Sequence, residues 1–241
     1  MKKLLVLFLL LSVGLWAELE IDLESGALFS GYNDVGIPGD VGTKFSLTED
    51  LSTEVEPFLR ARVNYHFNPR HHVSLLYAPL QVEATGKIEE DVLYQGETFA
   101  ANTELTSIYK FNSYRLTYRY DFVRKAQLTF GMGFTAKIRD AYITLEDADK
   151  KAEKTNVGFV PIINFRLDWR FRPQLALIFE GDALAAPQGR AEDVALGLQY
   201  QINQNLAVRG GYRLLEGGAD NDEVYTFSLF HYASLGLSYR F

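Results

Sequence analysis

The chain has 241 residues, with 24 Lys and Arg against 31 Asp and Glu for a formal net charge of −7. That acidity argues against nucleic-acid binding, which wants a basic face. The absence of cysteine excludes disulfides and thiolate chemistry.

Residues 1–17, MKKLLVLFLLLSVGLWA, carry two lysines, a run of largely apolar residues from Leu4 to Leu15, and a small residue at Ala17. This is the pattern of a cleavable signal peptide; a membrane-spanning helix needs about 20 apolar residues. Cleavage after Ala17 would remove Lys2 and Lys3 and take the charge from −7 to −9. No other apolar run reaches helical spanning length. A mature chain, 18–241, that lives in a membrane must therefore do so as a closed barrel, because backbone polar groups in lipid need internal partners.

Side chains of a strand alternate between its two faces, and that period runs through the rest of the sequence. Leu19, Ile21, Leu23, Ala27 and Phe29 oppose Glu20, Asp22 and Glu24, giving a first strand to Tyr32, followed by a loop from Asn33 to Val55. Leu59, Ala61, Val63, Tyr65 and Phe67 oppose Arg60, Arg62, Asn64 and His66 in a second. A turn at Asn68 to His71 leads to a third strand, from His72 to about Ala84, with a bulge expected at Pro79. After a polar stretch, Thr85 to Glu104, a fourth strand sets Tyr114, Leu116, Tyr118 and Tyr120 against Arg115, Thr117 and Arg119. Tyr109 and Phe111 have the other parity, which predicts a second bulge near Asn112 and Ser113.

The fifth strand alternates most cleanly, with Leu128 to Ile138 opposing Thr129 to Arg139. The charged run Glu146 to Asn156 reads as a solvated loop. Strands six to nine follow, separated by Arg172-Pro173-Gln174, by Ala185 to Arg190 and by Asn203-Gln204-Asn205. An acidic loop, Glu216 to Glu223, precedes the last strand. In Val224 to Phe241, Tyr225, Phe227, Leu229, Leu235, Leu237, Tyr239 and Phe241 share one parity, while Ser228, Ser234, Gly236, Ser238 and Arg240 share the other.

This final strand resembles the closing strand of bacterial outer-membrane β-barrels, in which a terminal Phe after alternating aromatics is read by the barrel-assembly machinery. The resemblance to small barrels of this class implies that Tyr239 and Phe241 form the assembly signal. The expected fold is an all-β, ten-stranded antiparallel up-and-down transmembrane β-barrel, residues 18–241. Long loops alternate with short turns, as in porin-like barrels of the Gram-negative cell envelope. The loops would be extracellular, the termini periplasmic, and lipid and lipopolysaccharide the surroundings. A soluble sandwich is the competing architecture for ten amphipathic strands.

With the apolar parity facing lipid, the lumen receives Glu20, Asp22, Glu24, Asp121, Asp168, Glu180 and Asp182, with Arg60, Arg62, Arg115, Arg119, Lys137, Arg139, Arg166, Arg170, Arg209, Arg213 and Arg240. Ladder neighbourhood predicts that Glu20, Asp22 and Glu24 meet Arg60, Arg62 and Arg240, and that Glu180 and Asp182 meet Arg166 and Arg170. Such a set either fills a narrow bore or leaves a thin anion-favouring channel. Neither reading needs a cofactor or a metal. Three outer loops each carry a charge of −4, which admits a cation-binding or adhesive surface, although no segment has calcium-loop spacing.

Two enzyme families on outer-membrane barrels invite comparison. Omptin proteases use acidic and Asp-His pairs at the rim, and no Asp-His dipeptide occurs here. Lipid A deacylases use His and Ser on one strand face; the nearest candidates, His231 with Ser228 or Ser234, are three residues apart and so fall on opposite faces. His66, His71 and His72 flank a turn, where solvation is the commoner role. The sequence therefore favours a non-enzymatic barrel.

Overall fold

The computed structural model describes residues 18–187 and 189–241, so the segment read as a signal peptide lies outside the described residues. The strands are β1 (Glu18–Gly36), β2 (Phe45–Ser46), β3 (Ser52–Thr53), β4 (Glu56–Asn68), β5 (His71–Ala78), β6 (Gln81–Lys87), β7 (Val92–Tyr94), β8 (Glu97–Phe99), β9 (Glu104–Arg124), β10 (Leu128–Glu146), β11 (Lys151–Arg172), β12 (Leu175–Ala186), β13 (Gly189–Gln201), β14 (Leu206–Asn221) and β15 (Val224–Arg240). Each long strand pairs antiparallel with its sequence neighbours, and β1 pairs with both β15 and β4. With β5 and β6 counted as one interrupted strand, ten strands close into a ring. Closure pairs each of the ten wall strands on both sides over at least part of its length, which removes the open edge that a barrel cannot present to lipid.

The seam between first and last strands explains one invariant of geometry. Gly26, at φ 148°, brings β1 against β15 so closely that a Cβ there would sit 2.1 Å from the Ala233 carbonyl oxygen. Only glycine fits that backbone. At the end of the seam, Phe241 N donates to Leu19 O at 2.9 Å.

Leu19, Leu23, Leu75, Leu116, Phe134, Leu196 and Leu235 are exposed on the outer wall, in line with the alternation. Further from the termini the alternation inverts. In β9, Leu105 and Tyr109 are buried inside while Thr106, Ile108 and Lys110 are on the other parity; below Asn112 the inside is Ser113, Arg115 and Thr117. The expected bulge at Asn112 and Ser113 is absent: Ser113 pairs with Arg139 and Asn112 with Asp140 in unbroken register. Tyr109 and Phe111 have changed surroundings, with no change of face. The bulge in this hairpin lies instead opposite Phe130 and Gly131.

Pro79 likewise interrupts without shifting. Ala78 pairs with Ser113 and Gln81 with Lys110, so β6 resumes the register of β5 along β9. Leu80 N, released from the ladder, is taken by Asn112 Oδ1 at 3.3 Å.

Several expected loops are strand. Glu146 pairs with Lys151, so the charged run collapses to a four-residue turn, and β14 and β15 stay paired up to Asn221 and Val224. Charged residues are compatible with a ladder where the outer face is wet, so polarity there signals the edge of the apolar band and not the end of the strand. The hairpins differ in height, with β12 and β13 stopping at Ala186 and Gly189. As a result β11 is laddered to β10 from Lys151 to Trp169, but to β12 only from Ile163 to Arg172.

Candidate functional site

The candidate site is the bore itself, which falls into two layers and an open vestibule. The layer nearest the middle is ionic. Asp193 on β13 is its hub, accepting from Arg60 Nη2 at 2.9 Å, Arg115 Nη2 at 2.7 Å and Arg213 Nη1 at 2.6 Å. Arg213 also donates through Nε and Nη2 to Glu24, both at 2.9 Å. Arg209 forks onto Asp22 at 3.0 and 3.1 Å. Arg62 reaches Glu180 at 3.2 Å, and Arg166 closes on the same carboxylate. Asp182 accepts from Arg115 at 2.7 Å, Thr135 at 2.6 Å and Asn164 at 2.9 Å.

These partners cross the bore between β1, β4, β9, β10, β11, β12, β13 and β14. The side chains of Arg115 and Arg213 are 2% exposed and that of Asp193 is 3% exposed, so the cross-section at this height is filled. Desolvated charges of this kind persist only when paired and hydrogen-bonded.

The ladder-neighbour expectation is therefore corrected in most cases. Among β1 acids only Glu20 meets its predicted partner, Arg240, at 3.0 Å, with Glu18 at 3.5 Å from the same guanidinium. Asp22 and Glu24 are taken by Arg209 and Arg213, whose side chains are long enough to span to β1 past the small residues Gly236 and Ser234 of β15. Arg166 does reach Glu180, whereas among the described residues Arg170 has no carboxylate within ion-pair distance, nor has Asp168 any cation. Both line the vestibule. Arg119 pairs with Asp121 at 3.2 Å. Lys137 is 2% exposed, has no carboxylate partner among the described residues and lies 4.6 Å from the Phe111 ring centre. Arg139 is half-buried and donates to Asn156. Asp193 stands on the polar parity of its strand, so alternation points it inward; its place at the centre depends on distances across the bore, which spacing does not encode.

Above this layer the loops fold into the barrel mouth as an apolar cap. Ile37, Leu47, Val92, Tyr94 and Phe99 are fully buried against Leu28, Leu105, Leu145 and Phe230 of the wall. The β7–β8 hairpin turns through Gln95 and Gly96, both at positive φ, the conformation a two-residue turn of this type demands. It is tied to the 37–53 loop by Thr43 N donating to Leu93 O and Leu93 N to Thr43 Oγ1, both at 2.9 Å, and to the wall by Tyr94 Oη donating to Ile143 O at 2.8 Å. Burial pushes the Tyr94 hydroxyl above its ordinary pKa. The polarity inversion described above is the sequence signal for this cap.

At the end carrying the termini, the bore opens into two adjoining cavities of about 460 and 480 Å³ that share Glu20, Arg166, Asp168, Arg170 and Arg240. His66, His72 and Asp121 line the second. The proposed deacylase pair is not assembled: Ser228 and Ser234 are buried on the inner face, whereas His231 stacks between Phe29 and Tyr212 on the outer one.

Comparison with curated protein sequences gives no match. Among solved structures, the outer membrane protease OmpT from Escherichia coli aligns over 93% of this chain and 97% of its own at 10% identity, with a TM-score of 0.54, a likeness of fold. Ail, the attachment invasion locus protein of Yersinia pestis, solved in complex with the heparin analogue sucrose octasulfate, aligns over 94% of this chain and 100% of its own at 12% identity, with a TM-score of 0.42. The outer membrane protein beta-barrel domain family matches residues 4–241, and with nearly the whole sequence inside that match the chain belongs to this family.

Proposed function

We propose that the protein is a non-enzymatic, sealed outer-membrane barrel whose lumen is structural and does not conduct. The observation that carries this reading is the Asp193 hub: three arginines converge on one carboxylate from across the bore at 2.6 to 2.9 Å, leaving no exposed charge at that height. Ten strands enclose a space that side chains of this length can fill. The apolar cap adds a second closure in series. In this reading the capped end faces the exterior and the open vestibule faces the periplasm. Phe241 and Tyr239, 65% and 44% exposed at the end of the last strand, suit a role as the signal read by assembly machinery.

Planar-bilayer recording of the refolded chain tests it. The expected result is the absence of stable steps in wild type. Stable anion-selective steps that change sign or size on charge reversal at Arg60 and Arg115 would establish the channel reading instead.

A further inference from the structure

The vestibule wall carries a histidine pair that the sealed-barrel reading does not use. His66 on β4 and His72 on β5 are direct cross-strand partners with both rings on the inner face. Their Nδ1 atoms meet at 2.6 Å. On the far side of its ring, His72 Nε2 is 2.8 Å from Asp121 Oδ2 on β9. The Asp121 carboxylate is itself fixed by Arg119 Nε at 3.2 Å.

Hydrogen-bond logic assigns the tautomers. Asp121 can only accept, so His72 carries its proton on Nε2, and its Nδ1 presents a lone pair to His66. The short contact then needs a proton on His66 Nδ1. Two imidazole nitrogens aimed at one point, one of them backed by a carboxylate on its other nitrogen, form the arrangement in which histidines ligate a metal.

We infer that His66 and His72 form a cross-strand chelate for a borderline divalent transition ion such as Zn²⁺, Cu²⁺ or Ni²⁺, with Asp121 as the positioning residue. The ion takes the place of the shared proton. At a metal–nitrogen distance of about 2.0–2.1 Å, tetrahedral ligation separates the two nitrogens by roughly 3.3 Å, so from their 2.6 Å contact the rings need to part by about 0.7 Å and tilt until both lone pairs face the ion. On ligation the His66 proton moves from Nδ1 to Nε2. That atom has no hydrogen-bond partner among the described residues, so the change of tautomer breaks no existing bond there.

Among the described residues no third His, Cys, Asp or Glu converges on the same point. Water or a solute in the 480 Å³ cavity therefore completes the coordination. Of the guanidinium groups lining the same cavity, Arg119 is held by Asp121, Arg240 by Glu18 and Glu20 and Arg166 by Glu180, while Arg124 and Arg170 carry no ion pair among the described residues. Imidazole donors select zinc, copper or nickel over magnesium or calcium.

The test uses the full barrel refolded in detergent, stripped of metal, and titrated with Zn²⁺ by calorimetry and with Cu²⁺ by electron paramagnetic resonance. One ion per chain is expected, and the copper spectrum of wild type should show hyperfine structure from two imidazole nitrogens, a readout that needs no variant. His66→Asn and His72→Asn should each abolish binding while the heat-modifiable gel shift of a folded barrel is kept. Asp121→Asn should weaken it about 10–100-fold. His71→Asn, whose ring bonds Tyr118 Oη outside the pair, should leave it unchanged. Failure of folded wild type to bind at submillimolar ion would mean the rings share only a proton and would overturn the proposal, as would binding that survives both histidine variants.

Discussion

The two halves of the bore solve the same problem with opposite chemistry. Toward the termini the wall is oily outside and ionised inside; toward the loops it is polar outside and apolar inside, like a soluble protein. The ionic half has no alternative interior, because lipid on the outer face claims the apolar parity and leaves the polar one to meet itself. The capped half projects beyond the apolar band, so the ordinary rule returns and Leu105, Tyr109 and Leu145 turn inward. The lesson is that inside and outside are set by the solvent at each height and not once for each strand.

If that contrast is right, the halves should fail differently. The largest effect belongs to the hub. Asp193→Ala leaves the buried Arg60 without its carboxylate and takes one partner each from Arg115 and Arg213, and is expected to cost about 3–5 kcal/mol of global stability, read as a drop in the urea midpoint of the gel-shift transition. A change no greater than that of a surface variant would show that the layer is hydrated. In the cap, Leu47→Ala should cost about 2–5 kcal/mol, but locally. Hydrogen exchange should speed up at the β7–β8 hairpin and stay slow on the β14–β15 ladder; equal acceleration of both would erase the distinction between the halves.

Alkali should act on the cap as well. Burial raises the Tyr94 pKa above its ordinary value of 10.0, so its contribution is complete below that pH and is lost as pH rises toward the folded-state value. Ultraviolet titration should find Tyr94 among the late-titrating tyrosines, with one fewer of them in Tyr94→Phe. A smaller loss is expected where a hydroxyl completes a buried contact: Tyr109→Phe removes the 3.1 Å bond to Ser228 Oγ, worth about 0.5–1.5 kcal/mol. The smallest belongs to the exposed Lys87–Glu104 pair at 3.7 Å, where Lys87→Ala should change stability by about 0–1 kcal/mol. A larger shift there would contradict its solvent exposure.

The period-two pattern made the strands, their number and the facing of nearly every charged residue legible. It failed at Asn112 and Ser113, where a change in which parity was apolar looked like a change in geometry. The same misreading turned Glu146 to Asn156 and Glu216 to Glu223 into loops, since charge on an outward face was taken to end a strand. What spacing could not supply was pairing across the bore. Asp193 and Arg60 are separated by 133 residues and lie on strands that share no ladder, so only closure brings them together. The His66–His72 pair is the contrasting case, since a turn of known length fixed their opposition, while their convergence needed ring orientations.

The uneven hairpin heights have a mechanical consequence. Above Ile163 the backbone of β11 has a ladder on one side only, and β12 turns back beside it at Ala186. A cylinder opens most readily where a long strand is stitched along only part of its length, so force, heat or a competing strand should part the loop-side end of β11 from its neighbour β12, while the longer β1–β15 suture holds.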